Sequence, residues 1–287
     1  MSPVRIVTDS TAHFREPDFP GRCGVTVMPL TIYFGKQSFR EGVEIDTDDY
    51  FRRLASGGPL ASAASPSAES FQALYEELGS SGDPILSIHL SSKLSHTWQN
   101  AKAAAEALLG RCQITVIDTL TTSVGLGLLV EAAAEAADRG EPLDEIVRIV
   151  RGMIPRLYVV FFVESLEYLE HSRRLGRAQA RLGTMLGIKP FLTIEEGEIV
   201  PMEKVRTRQQ AVEKLMEFIT EFSSIEHLSI LHGAANHTDE TRQLLERLAL
   251  DFPGRQWDVV TYGPSLATQI GPDSLGVIVF EGLDEAA

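Results

Sequence analysis

Ser91, Ser92, Ser95 and Thr97 crowd one short stretch, and Ser91 follows directly on an apolar run that contains Ile85, Leu86, Ile88 and Leu90. The run has strand length and stands just after Pro84, whereas Ala101, Ala103, Ala104, Ala105, Leu108 and Leu109 beyond the hydroxyls repeat at helical spacing. The hydroxyls therefore sit between the carboxyl end of a strand and the amino end of a helix. Backbone N–H groups and the positive helix end favour an anion there, and ligands of open α/β sheets gather at that edge. A helix cap uses one such hydroxyl. Four exceed that need, so the pattern points to an anion site, with plain capping as the alternative. Two more strands run into polar turns, Thr8-Asp9-Ser10-Thr11 and Asp118 to Ser123.

A catalytic reading of the same residues would make Ser95 a nucleophile, His96 its base and Asp9 or Asp118 the orienting carboxylate. A Gly-x-Ser-x-Gly elbow is absent, and adjacent side chains at a helix start do not aim at one point. A small substrate-binding subunit of a phosphotransfer system is a third reading, supported by fold analogy alone. Asp9 beside Ser10 suits a turn held by backbone hydrogen bonds better than an activated nucleophile. His89 falls inside an apolar strand and reads as a packed histidine. His232 and His237 lack the spacing of a metal-binding His-Glu-x-x-His helix. Arg173, Arg174, Arg177 and Arg181 read as a solvated face, or as a surface for an acidic protein partner.

The elements that must position these residues follow a regular plan. Val4–Val7, Val25–Phe34, Ile85–Leu90 and Ile114–Ile117 read as strands, with a hairpin over 37–45. Asp46 or Thr47 caps a helix carrying Tyr50, Phe51 and Leu54, and Leu60–Ser65 reads as an irregular loop. Ser65-Pro66 starts the next helix, which carries Phe71, Leu74, Tyr75 and Leu78. A long helix spans 122–138. Alternating strands and helices with hydroxyl turns on one edge describe a mostly parallel sheet covered on both faces, over residues 1–154. Residues 155–287 have another rhythm: a strand at 158–163, a hairpin about Glu196-Gly197, a helix over 207–222, a strand over 228–232, a helix over 239–250 and strands near 258–262 and 277–280. That predicts a second α/β domain with a mixed sheet.

The 287 residues suffice for two cores. With 26 basic and 40 acidic residues the net charge is -14, which speaks against nucleic acid and anionic lipid surfaces as partners. Two cysteines without Cys-x-x-Cys spacing exclude a disulfide framework and structural zinc, so no metal or cofactor is expected. The start, Met-Ser-Pro-Val-Arg-Ile-Val, lacks a signal-peptide pattern, and no apolar run is long enough to span a bilayer. The expectation is a cytoplasmic protein.

The ordered motifs resemble one family. Val7-Thr-Asp-Ser-Thr11, Met28-Pro-Leu-Thr-Ile32, Phe39-Arg-Glu-Gly-Val43, Leu90-Ser-Ser-Lys-Leu-Ser-His-Thr-Trp-Gln99, Val116-Ile-Asp-Thr119, Gly125-Leu-Gly-Leu-Leu129, Ser165-Leu-Glu-Tyr-Leu169 and Lys204-Val-Arg-Thr-Arg208 are similar to segments of the DegV family of fatty-acid-binding proteins, the lipid-carrying subunits of a bacterial fatty acid kinase. The resemblance runs nearly end to end. It implies a long-chain fatty acid with its carboxylate held by hydroxyls at the interface of the two domains. The acyl chain would lie buried in the first domain, with the second closing over the head group. It also implies that a separate kinase subunit does the catalysis, so no residue here is assigned a catalytic role. The chain has no Gly-x-x-x-x-Gly-Lys-Ser/Thr loop of its own.

Carried over by position, Ser95 stands where the family has its carboxylate-binding serine, with Ser92 close by. The family's second hydroxyl lies in a Thr-Ser-Gln-Pro segment that here reads Ala63-Ala64-Ser65-Pro66, so Ser62 or Ser65 takes over from the threonine replaced by Ala63. Arg206 matches an arginine near the head group and the kinase contact. The family's His-Thr-Gly-Pro-Gly reads Gln269-Ile-Gly-Pro-Asp273, and Gln269 donates a hydrogen bond but carries no charge. Asp9 and Ser10 complete the expected site as supporting residues.

Overall fold

The computed structural model describes residues 3–172, 189–233 and 239–283. Arg173, Arg174, Arg177, Arg181 and His237 lie outside the described residues. The elements along the chain begin with β1 (Arg5–Asp9), β2 (Val25–Met28), β3 (Thr31–Phe34), β4 (Gln37–Arg40), α1 (Thr47–Ala55), β5 (Ser62–Ala64), α2 (Ala68–Leu78), β6 (Ile85–His89), α3 (Thr97–Ala107), β7 (Ile114–Asp118), α4 (Ser123–Asp138) and α5 (Leu143–Met153). They continue with β8 (Leu157–Phe162), α6 (Glu167–His171), β9 (Lys189–Glu195), β10 (Glu198–Val205), α7 (Arg208–Thr220), β11 (Ile225–His232), α8 (Asp239–Asp251), β12 (Asp258–Thr261), α9 (Pro264–Ile270) and β13 (Leu275–Glu281). Two units emerge: Met1–Ile45 with Ala63–Pro155 and Glu196–Glu198, and Asp46–Ser62 with Arg156–Glu195 and Ile199–Ala287.

The first unit is built on a four-stranded sheet in the order β2-β1-β6-β7, parallel throughout. Parallel strands need crossover connections, and the helices that provide them cover the sheet. Along β6 the side chains alternate. Ile85 joins Val7, Phe71, Tyr75, Ala101, Ala104 and Leu108 in the cluster beneath α2 and α3. Leu86 and Ile88, equally buried, point to the opposite face, where α4 and α5 pack on the sheet. His89 is fully buried, as its place in an apolar strand predicts.

Three local expectations need correction. The run 25–34 is not one strand: it breaks at Pro29, which has no N–H to give a ladder. β2 stays in the parallel sheet while β3 forms an antiparallel hairpin with β4. Within the supposed loop 60–65, β5 extends beside β3. The helix expected from Ser65-Pro66 starts later, at Ala68, with the Ser67 side chain accepting from the Ser70 N–H at 3.2 Å. Ser65 and Pro66 are held extended because the Ser65 hydroxyl accepts the His96 N–H and the Pro66 carbonyl accepts from Asn100 Nδ2. Asp46 does cap α1, accepting from the Asp49 N–H at 2.7 Å.

The second unit holds a mixed sheet, β10-β9-β8-β13-β11-β12, in which β11 and β12 are parallel while β8/β9, β8/β13 and β11/β13 are antiparallel. Phe162, Leu215, Ile219, Leu228, Leu244, Leu248 and Val279 are among the side chains of its core. No helix among the described residues is long and apolar enough to cross a membrane.

One close approach fixes where α4 begins relative to β1. The His13 N–H donates to the Ser123 carbonyl at 3.1 Å, and a Cβ added at Gly127 would overlap the backbone carbonyl of His13. Gly127→Ala should therefore cost about 1–3 kcal/mol of stability, the usual penalty for overpacking. Thermal unfolding would read this as a fall of several degrees, whereas an unchanged midpoint would mean that α4 does not lie against the His13 backbone.

Candidate functional site

Asp9 ends β1 with a fully buried carboxylate, and four donors satisfy it. Oδ1 accepts from the Thr11 N–H at 3.1 Å and the Thr11 hydroxyl at 2.6 Å, and Oδ2 accepts from His89 Nδ1 at 2.9 Å and the Leu90 N–H at 3.1 Å. One side chain thus ties the turn after β1 to the end of β6. His89 continues inward: Nε2 lies 2.7 Å from Ser87 Oγ, which in turn accepts from the Tyr75 hydroxyl at 2.7 Å. If Nδ1 carries the proton given to Asp9, then Nε2 accepts from Ser87 and every proton in the chain has a direction. Burial pushes the Tyr75 phenol well above its ordinary range, so it stays a donor. Asp9 and Ser10 are thereby engaged inside the fold, since the Ser10 hydroxyl donates to Glu41 Oε2 at 2.6 Å and accepts from the Leu30 N–H.

The turn that follows β6 is held from both sides. The Ser91 N–H donates to the Thr121 carbonyl and the Ser91 hydroxyl to the Gly197 carbonyl. The Ser91 carbonyl accepts from the N–H groups of Leu94 and Ser95. Ser95 then meets two hydroxyls, Ser65 Oγ at 2.8 Å and Thr97 Oγ1 at 2.8 Å. Backbone donors fill acceptor positions on this trio: the His96 N–H on Ser65 and the Thr97 N–H on Ser95. Three hydroxyls carry three protons, and two bonds among them use two, leaving one proton for an acceptor outside the trio. The trio stands at the first residue of α3, whose cap position, His96, supplies no side-chain acceptor. Donors without a base describe a place for an anion.

Ser95 and Ser65 are thus brought together, 30 positions apart in the chain. Ser92 is half-buried beside them, its N–H on Asp118 Oδ1 and its carbonyl accepting from Gln99. Thr97, one of the four hydroxyls of the stretch but given no role by the family resemblance, is fully buried and bonded to Ser95. Ser62 is exposed and falls in the second unit with Arg206 and Gln269. Arg206 is exposed at the end of β10, its N–H on Gln210 Oε1, and Gln269 is buried in α9. Among the described residues, the side chains bonded to the Ser95 hydroxyl are those of Ser65 and Thr97, and no histidine is among them. Among the described residues no cluster of His, Cys, Asp and Glu could hold a metal ion.

A family model described as an uncharacterised protein of the DegV family matches residues 3–282. The chain belongs to the DegV family. Protein DegV of Bacillus subtilis (strain 168) is 30% identical over 278 residues, covering 96% of this chain and 98% of that one. The solved structure of a DegV-family protein from Thermus thermophilus, described by its fatty acid binding, superimposes with a TM-score of 0.84 at 31% identity, over 98% of this chain and 100% of that one. The crystal structure of DegV from Bacillus subtilis, described as a fatty acid binding protein, gives a TM-score of 0.84 at 28% identity with the same coverage. The likeness to these DegV-family structures therefore extends over nearly the whole length of the chain.

Asp9→Asn tests the hub beneath the site. An amide keeps one acceptor but turns an NH₂ toward buried donors, and hydrogen bonds to charged groups are worth about 1.5–3 kcal/mol each. Urea unfolding should show a loss of about 2–4 kcal/mol. A variant as stable as the parent would show that Asp9 does not hold the two turns.

Proposed function

We propose that this chain binds a long-chain fatty acid by its carboxylate, with Ser95 as the principal donor and Ser65 and Thr97 orienting it. The observation that carries the reading is the spare hydroxyl proton of the trio at the amino end of α3. A carboxylate needs donors and no base, and the helix end adds its favourable potential. Ser65 takes the part that the family gives to a threonine in the segment matching 63–66, and Ser92 stands by as the next donor. Arg206 and Gln269 are not needed for this reading. The descriptions of the Thermus thermophilus and Bacillus subtilis structures as fatty acid binding support the choice of ligand.

Burial of the acyl chain supplies most of the affinity. Each CH₂ removed from water is worth about 0.8 kcal/mol, so roughly fifteen of them provide on the order of 12 kcal/mol before the costs of association. In this reading the chain is a cytoplasmic carrier and not itself an enzyme. A separate fatty acid kinase would do the chemistry: a carboxylate oxygen attacks the γ-phosphorus of the kinase's nucleotide, giving an acyl phosphate and a nucleoside diphosphate.

Denaturing extraction of the purified protein followed by mass spectrometry should yield about one long-chain fatty acid per chain. Added fatty acid should raise the thermal midpoint of delipidated protein, because a ligand that binds only the native state stabilises it. No lipid together with no thermal response would sink the proposal. Ser95→Ala should weaken binding roughly ten- to a hundredfold, the loss of one hydrogen bond to a charged group, and Ser95→Thr should be tolerated better. Unchanged affinity in Ser95→Ala would move the head group to another donor.

A further inference from the structure

The loop between β9 and β10 consists of Glu196 and Gly197, with φ of 48° and 82°, the left-handed backbone that a tight hairpin uses. Glu196–Glu198 fall in the first unit. Loop tips ordinarily face solvent, yet Gly197 is buried. Its carbonyl accepts the proton of the Ser91 hydroxyl at 2.7 Å, and that hydroxyl, on a fully buried side chain, accepts in turn from the Lys93 N–H at 3.1 Å. A Cβ added at Gly197 would stand 2.4 Å from Ser91 Oγ and 3.1 Å from Leu120 Cδ2, so glycine is what lets the carbonyl come this close. Leu120, on the other side of the contact, has a φ of 56°. Non-glycine residues in the left-handed region are unfavourable, and they gather where a site needs a fixed shape. Lys93 and Glu198 add an ion pair at 3.5 Å, which is exposed and so contributes little.

We infer that Gly197 is a positioning residue for the anion site: its carbonyl fixes the Ser91 hydroxyl and, through Ser91, the direction of the Ser95 hydroxyl. The inference rests on the fatty acid reading given above. Ser91 is tied at three points. Its N–H donates to the Thr121 carbonyl, its carbonyl accepts from the N–H groups of Leu94 and Ser95, and its hydroxyl joins the Gly197 carbonyl to the Lys93 N–H. Without the Gly197 carbonyl the Ser91 proton would be stranded in a buried place, and a stranded donor is costly enough to turn the residue toward another acceptor. The N–H groups of Lys93 and Ser95 are bonded to Ser91 and would follow that turn. Ser95 must stay 2.8 Å from both Ser65 Oγ and Thr97 Oγ1 for the trio to keep one proton free for a carboxylate. A displaced Ser91 is therefore felt at the ligand, although Gly197 itself touches only Ser91 and Leu120 in this chain of contacts.

Oleic acid labelled with ¹³C at its carboxyl carbon, titrated into the delipidated full-length protein, tests the assignment in the parent, Ser91→Ala, Gly197→Ala and the double variant. Ser91→Ala removes the tie, and Gly197→Ala drives a Cβ against the Ser91 hydroxyl. Each should lower affinity roughly three- to tenfold, the worth of about one neutral hydrogen bond. Because both break one contact, the double variant should bind no worse than the weaker single variant. The bound carboxyl resonance should move in all three. Gly127→Ala, which loosens α4 elsewhere, should lower the thermal midpoint and leave that resonance in place. Parental affinity in Ser91→Ala, losses that multiply in the double variant, or an equal shift in Gly127→Ala would overturn the inference. If Gly197→Ala does not fold, Ser91→Ala decides by itself. Ser95→Ala, measured alongside, separates the two readings. Weakened binding there with none in Ser91→Ala sinks the role of Gly197 alone, whereas full affinity in Ser95→Ala, or no binding by the parent, sinks the fatty acid reading and the role of Gly197 with it.

Discussion

A carboxylate deprived of water must be fully hydrogen-bonded or it destabilises the fold that buries it. Asp9 meets that demand with four donors drawn from two turns, and this is the constraint on which the first unit depends. The turn after β1 cannot move without stranding Oδ1, nor the end of β6 without stranding Oδ2. The chain His89, Ser87 and Tyr75 extends the same demand inward, so a buried polar line runs beneath the sheet edge where the hydroxyls lie. Polar networks of this kind rigidify what they join when every member is satisfied.

That rigidity matters for what the edge can do. Ser91 is anchored through its N–H and its hydroxyl, and the chain then presents Ser95 to Ser65 and Thr97. A hydroxyl used as a nucleophile would need a base within reach to take its proton. Here its neighbours are other hydroxyls and backbone N–H groups, which hold a charge in place without transforming it. The geometry therefore suits holding an anion at the amino end of α3.

Much of this was legible in the residues. Hydrophobic alternation and run length showed the parallel sheet and the packed position of His89, because burial on both faces leaves a direct mark on residue type. The hydroxyl-rich stretch marked the candidate site, since four hydroxyls are more than a cap consumes. What the chain order hid was pairing across distance. That Ser65 bonds to Ser95 follows from tertiary packing, and the same packing delays α2 to Ala68 by drawing Ser65 and Pro66 toward the start of α3. The break at Pro29 was visible as a residue but was outweighed by the apolar run around it. Thr97 looked like part of a helix start, and only the 2.8 Å contact with Ser95 makes it part of the trio.

The most direct measurement uses a long-chain fatty acid labelled with ¹³C at its carboxyl carbon, bound to delipidated protein and observed by NMR. One bound carboxyl resonance, resolved from the free acid and displaced in both Ser95→Ala and Thr97→Val, is the expected result for a carboxylate held by the trio. A bound resonance that neither substitution moves would contradict it and place the head group away from the amino end of α3.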